Sequence, residues 1–165
     1  MPSSYSFDVV SEFDQQELVN AIDQLRREVD QRYDLKDSKT KIDIKEDELS
    51  IVSLSDMTIE AVKDILLQKA TKRNLSLKIF DFQKIEIIGG NMVMQIVKLK
   101  KGLPQEISKK LSKLVRDNMK KVTVSIQGDS LRITGKNKDD LQSAINLIKK
   151  QEDDLEIALQ FQNYR

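Results

Sequence analysis

The chain has 165 residues, of which 33% are charged and 39% hydrophobic, and its net charge at pH 7 is +1. It contains no cysteine and no histidine, which excludes disulfides, thiolate nucleophiles, Ser-His-Asp catalysis and metal sites built from these two residues. No apolar run approaches the roughly 18 residues that span a bilayer, and no signal segment follows Met1. We therefore expect a cytoplasmic protein without membrane contact.

The first half of the chain predicts a strand, a helix, a hairpin, a helix and a strand. Residues 5–10 alternate as a short strand, and a long helical pattern starts at Asp14. The apolar stripe of this helix comprises Leu18, Ile22, Leu25, Val29 and Tyr33. A hairpin is predicted over 39–53, followed by a helix capped by Ser55 or Asp56 and a strand over 75–80.

The same order of elements recurs in the second half. Residues 92–99 predict a strand, and Pro104 suits the first turn of the helix that follows. The stretch VTVSIQGDSLRIT at 122–134 alternates around Gly128-Asp129, which is typical of a hairpin with a type II′ turn. Its apolar residues fall on one face, which leaves a polar face of Thr123, Ser125, Gln127, Ser130, Arg132 and Thr134. A helix and a strand over 157–161 complete the order.

The two halves correspond at a constant offset of 82 residues, so that Ile42 maps to Val124 and Leu49 to Leu131. Each half is predicted to be a ferredoxin-like βαββαβ module, an α+β fold with a four-stranded antiparallel sheet and two helices on one face. We place the modules at 1–80 and 92–165 and a glycine-containing linker at 81–91. The two leading strands have similar patterns, so the sequence also allows an exchange of these strands between the modules.

Positive charge is concentrated in one part of the second half. Between Lys98 and Lys138 there are 12 basic residues, against Glu106, Asp117 and Asp129. A lysine-rich helix face is often only a solvated surface, but a cluster with so little acidic admixture also fits a phosphate-binding surface. The charge pattern leaves both interpretations open.

Motifs for catalysis and for base recognition are absent. The glycines at 128 and 135 do not have P-loop spacing, and neither GxGxxG nor the GxxG loop of KH domains occurs. The acidic pairs Asp139-Asp140 and Asp153-Asp154 have no partner base nearby in the sequence. The third strands of the two predicted sheets offer no aromatic side chain for stacking a base, as an RNA-recognition motif would. We expect a non-enzymatic protein without a metal or cofactor.

Five stretches resemble the YajQ family of bacterial nucleotide-binding proteins: MPSSYSFDVVSE, QRYDLKDS, VKLKKG, VTVSIQGDSLRITGKNKDDL and LQFQNY. The resemblance covers the whole chain. It implies two ferredoxin-like modules, no established enzymatic activity, and binding of nucleotides or RNA, with cyclic di-GMP in some members. The chain has Leu35 and Asp37 where the family often has the Phe and Gly of RYDFKGS, and NMVMQ after Gly90 where the family often reads KTVRQ.

The leading hypothesis is a non-enzymatic protein that binds RNA or a nucleotide such as GTP, ATP or cyclic di-GMP, the last as a cyclic dinucleotide sensor. We expect phosphate contacts from the basic second module and from two residues across the interface between modules: Lys98, Lys100, Lys101, Arg132, Lys136 and Lys138, with Arg32 and Lys36. Arg132 is the first choice for specificity because a guanidinium grips a phosphate or a guanine edge with two bonds. The competing hypothesis is a protein-interaction adaptor that docks a regulatory or RNA-processing partner through open sheet faces.

Overall fold

The structure is a computed structural model that describes residues 4–165. The first three residues of the MPSSYSFDVVSE motif therefore lie outside the described range. Within that range, the elements in chain order are β1 (Tyr5–Val10), α1 (Gln15–Gln31), β2 (Lys41–Ile44), β3 (Glu48–Ser53), α2 (Asp56–Lys72), a 3-10 turn (Leu77–Ile79), β4 (Phe80–Phe82), β5 (Glu86–Ile88), β6 (Met92–Leu99), α3 (Gln105–Asn118), β7 (Val122–Gln127), β8 (Ser130–Gly135), α4 (Lys138–Glu152) and β9 (Gln160–Gln162).

The chain forms two compact units, each with its own antiparallel sheet. The first, which we call the discontinuous unit, comprises the residues up to Glu12 together with Lys101–Arg165. The second, which we call the inserted unit, is the continuous segment Phe13–Lys100. The inserted unit thus interrupts the discontinuous unit directly after its first strand.

The discontinuous unit is a ferredoxin-like fold with the elements β1, α3, β7, β8, α4 and β9. Its sheet has the strand order β7-β8-β1-β9, and every pair is antiparallel. Phe7, Val9, Leu131 and Ile133 project from the two central strands into a core that includes the buried sides of both helices. Burial of one sheet face under two amphipathic helices explains the alternating pattern of these strands.

The inserted unit has the same arrangement in a different chain order. Its sheet is β2-β3-β6-β4, and β5 pairs with the first part of β6, whereas β4 pairs with its last part. Helices α1 and α2 pack together over a shared core. The last strand of the segment, β6, lies between β3 and β4, as β1 lies between β8 and β9. The inserted unit is therefore a circularly permuted version of the discontinuous one.

The α+β class with two ferredoxin-like units is confirmed, but the expected boundaries at 1–80, 81–91 and 92–165 differ from the observed ones. β1 pairs with β8 and β9, whereas β6 pairs with β3 and β4, so the leading strands are exchanged. The segment expected to be a linker contains β5, which pairs with β6. The reason is that both leading strands have a similar alternating pattern, which specifies a face but not a partner sheet.

The hairpin turn and the helix caps agree with the sequence-based predictions better than the module boundaries do. Val124 lies opposite Ile133 and Ile126 opposite Leu131, and Gly128 has a φ of 60°, as the type II′ turn requires. Asp14 and Ser55 cap α1 and α2 through side-chain bonds to backbone N–H groups. Tyr33 lies beyond the end of α1 instead of on its buried stripe and is 89% exposed.

The strands expected at 75–80 and 157–161 start later, at Phe80 and Gln160, and are only three residues long. No helix within residues 4–165 is long and apolar enough to cross a bilayer.

Candidate functional site

The open sheet face of the discontinuous unit carries a row of polar side chains across all four strands. In register, Ser125 lies beside Arg132, Arg132 beside Asp8, and Asp8 beside Gln162. These residues alternate along their strands with the core residues, so they project away from the helices. The polar face predicted for the β7–β8 hairpin thus extends onto β1 and β9.

Asp8 is the most buried member of this row, with 7% of its surface exposed. Its Oδ1 accepts a 3.0 Å hydrogen bond from Nε of Arg132, and its Oδ2 accepts a 2.9 Å bond from Nδ2 of Asn163. The hydrogen bond from Arg132 is the main cause that lowers the pKa of Asp8, and burial opposes it. The same contact raises the pKa of Arg132.

Arg132 is therefore an ion-pair partner between neighbouring strands as well as a candidate ligand contact. The bond to Asp8 uses Nε, one of the five N–H donors of the guanidinium. The Arg132 side chain is 38% exposed, so a ligand can still reach it. Its charge is already balanced by Asp8, which weakens its attraction for a phosphate relative to the sequence-based expectation.

Lys136 and Lys138 lie where β8 ends and α4 begins. Both are exposed, and Asn137 between them caps α4 by accepting a 2.8 Å hydrogen bond from the backbone N–H of Asp140. Nζ of Lys138 lies 5.4 Å from the centre of the Tyr5 ring, which is within cation–π range. These two lysines present positive charge at one end of the discontinuous unit.

A cavity of about 430 Å³ opens beside Lys138. Its walls come from the start of β1, the first two turns of α4 and the segment after β9, and they comprise Tyr5, Ser6, Lys138, Leu141, Gln142, Ile145, Tyr164 and Arg165. The backbones of Ser6 and Arg165 hold the last segment against β1 by hydrogen bonds of 3.2 and 3.0 Å in both directions. The cavity combines apolar walls, aromatic rings and the charge of Lys138.

The sequence did not single out Tyr5, Tyr164 or Arg165. An RNA-recognition motif stacks bases on its two central strands, and the third strand of each sheet offers no aromatic for this role. Tyr5 stands on β1, the other central strand of its sheet. That β1 belongs to the same unit as α4 follows only from the exchange of leading strands. The available signal was the family resemblance, since both tyrosines lie in stretches that carry it, SYSFDVV and LQFQNY.

The predicted site residues of the inserted unit lie in less favourable electrostatic surroundings. In β6, Lys98 is directly opposite Glu48 of β3 on one side and Asp81 of β4 on the other. Residues opposite each other in neighbouring strands have Cβ atoms about 5 Å apart. Two acidic residues therefore flank Lys98, which lowers the positive potential that a phosphate would meet there.

Arg32 and Lys36 follow α1 in the same unit. Arg32 donates hydrogen bonds of 2.9 and 2.7 Å to the two carboxylate oxygens of Asp34, and a further carboxylate oxygen, from Glu28, lies at 3.7 Å. These carboxylates raise the pKa of Arg32, while Arg32 lowers the pKa of Asp34. Nζ of Lys36 lies 5.2 Å from the Tyr33 ring. Arg32 is thus already held by acidic neighbours.

The eight predicted residues divide equally between the two units. Lys101, Arg132, Lys136 and Lys138 belong to the discontinuous unit, whereas Lys98, Lys100, Arg32 and Lys36 belong to the inserted unit. Leu35, where the family often has Phe, is 2% exposed in the core of the inserted unit, so that position serves packing. Within residues 4–165 no group of three or more acidic residues could hold a metal ion.

These observations define an α+β protein of two ferredoxin-like units with a polar sheet face and a basic cavity on one of them. A family model described as nucleotide-binding protein YajQ-like matches residues 5–165. The chain therefore belongs to the YajQ family, which confirms the resemblance found in the sequence.

Individual relatives match over the full length of both chains. A protein of Prochlorococcus marinus strain NATL1A, named a nucleotide-binding protein, is 95% identical over 165 residues, 100% of each chain. Proteins with the same kind of name from Synechococcus sp. strains CC9605 and JA-3-3Ab are 68% and 56% identical, again over 100% of each chain.

Proposed function

We propose that this chain is a non-enzymatic, cytoplasmic protein that binds nucleotides or RNA through the discontinuous unit. The observation that carries the proposal is the pair of exposed lysines, Lys136 and Lys138, on either side of the residue that caps α4. A nucleotide presents phosphate oxygens, and lysine ammonium groups attract them at a solvent-exposed site without a fixed geometry. The names of the relatives agree with this ligand class.

The lysine side chains, more than the helix end, are the source of the attraction. Amino ends of helices often bind phosphates through free N–H groups. In α4, however, Asn137 already accepts one of these bonds, and Asp139 and Asp140 stand in the first turn. These carboxylates complement the helix dipole themselves, so the positive potential at this end comes from Lys136 and Lys138.

The test is a titration of the full-length chain with GTP, ATP, cyclic di-GMP and a short single-stranded RNA at two salt concentrations. Wild type should bind at least one of them more weakly at high salt, since neutralising each phosphate releases counterions. The double variant Lys136→Ala, Lys138→Ala should bind that ligand more weakly, and its salt slope should be lower by about 1 for each lysine that meets a phosphate in wild type. Lys150→Ala, at the far end of the same helix, is the matched control and should bind like wild type.

Arg132 is a poor choice for this test. Its replacement leaves the buried carboxylate of Asp8 without its cation, so weaker binding and lower stability would be confounded. Wild-type chain that binds none of the four ligands, or a double variant with unchanged affinity and salt slope, would contradict the proposal. In the first case, the adaptor hypothesis becomes the leading one.

A further inference from the structure

We propose that the cavity beside α4 holds one nucleotide unit, with its base stacked on Tyr164 and its phosphate held by Lys138. This inference rests on the proposed function and gives it a location and an orientation. The nucleotide unit can be a free nucleotide or one residue of an RNA strand, because both present the same base, ribose and phosphate.

The cavity has the size and the wall chemistry of a small-molecule site. Its volume of about 430 Å³ lies within the range of such sites, which is roughly 300–1,000 Å³. Leu141 and Ile145, both almost fully buried, line its wall on the α4 side. Lys138 and Gln142 of α4 are the polar residues on the same wall. Apolar walls with few polar groups suit a flat aromatic base that carries a charged substituent.

The ring of Tyr164 is supported on one side and exposed to solvent on the other, which suits the stacking of a base. Its ring lies 6.0 Å from that of Phe7, with 29° between the planes, and Phe7 is fully buried and in edge contact with Phe161 at 5.9 Å. Tyr164 is nevertheless 62% exposed, which leaves ring surface available to a ligand. A ring that is already supported on one side loses little conformational freedom when a base stacks on it.

The backbone around Tyr164 fixes the direction of the ring. Asn163 adopts the left-handed conformation, with a φ of 58°, and its side chain donates to Asp8. Arg165 then pairs with Ser6 through both backbone groups. Tyr164 is thus held from both sides in the chain, and it turns toward the helix side of the sheet, where Phe7 lies.

A cation stands at the same cavity. Lys138 lines it and lies over the Tyr5 ring. The backbone pairing of Arg165 with Ser6 directs the Arg165 side chain to the other face of the sheet, where its charge lowers the pKa of Asp8. The Lys138 side chain is exposed, so it can turn toward a phosphate without first breaking a buried contact. Aromatic surface for the base and a cation for the phosphate therefore occur in one cavity, which is the combination that sequence-independent nucleotide binding uses.

The inserted unit supplies a matched control. Tyr33 is also exposed, at 89%, and also has a lysine near its ring, with Nζ of Lys36 at 5.2 Å. It lies on the loop after α1 and does not line the cavity. Tyr33→Ala therefore removes an exposed tyrosine of the same type and leaves the proposed base site intact.

The experiment measures affinities of full-length variants for GMP, a short single-stranded RNA and ribose 5-phosphate, which lacks the base. Tyr164→Ala should weaken the binding of GMP and RNA by about tenfold or more, a typical effect of removing one aromatic ring on which a base stacks. It should leave the weak binding of ribose 5-phosphate unchanged. Tyr164→Phe, which keeps the aromatic ring, and Tyr33→Ala should stay within about twofold of wild type.

A second measurement gives the location directly. The chain has three tyrosines and no tryptophan, so its tyrosine ring signals in NMR spectra are few. GMP should shift the ring signals of Tyr5 and Tyr164 and leave those of Tyr33 in place, and the same spectra verify that each variant is folded. If only RNA binds, with the same dependence on Tyr164, the nucleotide unit belongs to an RNA strand.

The possible failures are distinguishable. If wild type binds GMP, GTP or RNA but Tyr164→Ala binds equally well, or only the Tyr33 signals shift, this inference is wrong and the proposed function stands. If wild type binds no nucleotide and no RNA, both are wrong.

Discussion

At the residue scale, Asp8 connects three segments that are far apart in the sequence. It stands on β1, accepts from Arg132 on β8, and accepts from Asn163 after β9. Its burial is tolerated because both carboxylate oxygens have partners, one of them charged. The ion pair with Arg132 therefore stabilises the sheet, whether or not Arg132 also contacts a ligand.

Replacement of Asp8 by Asn should make the discontinuous unit less stable near pH 7 and less sensitive to acid. The pKa of Asp8 is lowered in the folded state, so its stabilising effect is complete above the ordinary carboxyl pKa of about 3.9 and disappears as the pH falls through the folded value. We expect Asp8→Asn to lower the free energy of unfolding at pH 7 by about 1 kcal/mol and to flatten its fall below about pH 4.

Urea unfolding at a series of pH values measures both effects. The matched control is Asp34→Asn, which removes the carboxylate of an exposed arginine pair in the inserted unit. Because solvent screens that pair, the control should change stability less. Wild type and Asp8→Asn with parallel pH profiles would contradict this account.

Gly102 is a second residue whose identity is fixed by geometry. Its φ is +88°, and a Cβ atom added there would lie 2.7 Å from Oδ2 of Asp129. Gly128 also has a positive φ, +60°, but nothing lies within 4 Å of its missing Cβ. We expect Gly128→Ala to cost about 1–2 kcal/mol from backbone strain alone and Gly102→Ala to cost more, because the collision with Asp129 adds to the strain.

A double-mutant cycle measures the added energy. Asp129→Gly removes the atoms that would collide, so it should recover much of the extra destabilisation in Gly102→Ala and none of the destabilisation in Gly128→Ala. Equal destabilisation in the two single alanine variants would show that the collision is relieved by a small movement of the turn.

At the element scale, the start of α2 is held by a chain of hydroxyl groups. Ser55 caps the helix, and Thr58 completes a capping box with it. Oγ1 of Thr58 also lies 2.7 Å from Oγ of the fully buried Ser53, at the end of β3. From Ser53 the chain of hydroxyls continues through Thr40 to Ser38, whose hydroxyl donates to the carbonyl of Leu35. These bonds join a helix, a strand and the loop after α1.

We expect Thr58→Val to lower the free energy of unfolding by about 1–2 kcal/mol, because it removes one half of the capping box and one hydrogen-bond partner of a buried hydroxyl. Thr58→Ser keeps the hydroxyl and should cost much less. The matched control is Thr71→Val on the same helix, where Oγ1 donates only to the carbonyl of Leu67 near the surface. Urea denaturation measures the free energy of unfolding of the three variants. Equal destabilisation by Thr58→Val and Thr71→Val would argue against a stabilising role for the chain of hydroxyl groups.

At the scale of the whole molecule, the chain order of the two units determines which fragments can fold. Every buried residue of the core in the inserted unit lies between Leu18 and Leu99. That core includes Val97 and Leu99 of β6, the strand between β3 and β4. The discontinuous unit, in contrast, needs β1 from the beginning of the chain and everything after Lys101.

We predict that a fragment of residues 13–100 folds cooperatively and that a fragment of residues 1–80 does not. The shorter fragment lacks β6 and ends at the first residue of β4, so β3 loses its neighbouring strand and the core loses part of one wall. Circular dichroism during urea unfolding and the dispersion of amide NMR signals distinguish the two outcomes. A folded 1–80 fragment would mean that β1 can take the place of β6.

The amino-acid sequence is enough to predict the features that depend on neighbouring residues. The turn at Gly128, the caps at Asp14 and Ser55, and the faces of the helices and strands all follow from backbone conformation and hydrophobic period. These signals were sufficient for the α+β class, for two ferredoxin-like units and for the exposed lysines at 136 and 138. These signals act over a few residues, so the predicted turns, caps and faces are the same whichever sheet a strand joins.

The three-dimensional fold shows which strand joins which sheet, and this pairing sets the environment of the site residues. Arg132 pairs with Asp8, 124 residues away in the sequence; Lys98 stands between Glu48 and Asp81; and Tyr5 and Tyr164 line one cavity. The physical reason is that β1 and β6 present the same alternating faces, so their local patterns fit either sheet. The choice depends on side-chain packing and cross-strand pairs summed over a whole unit.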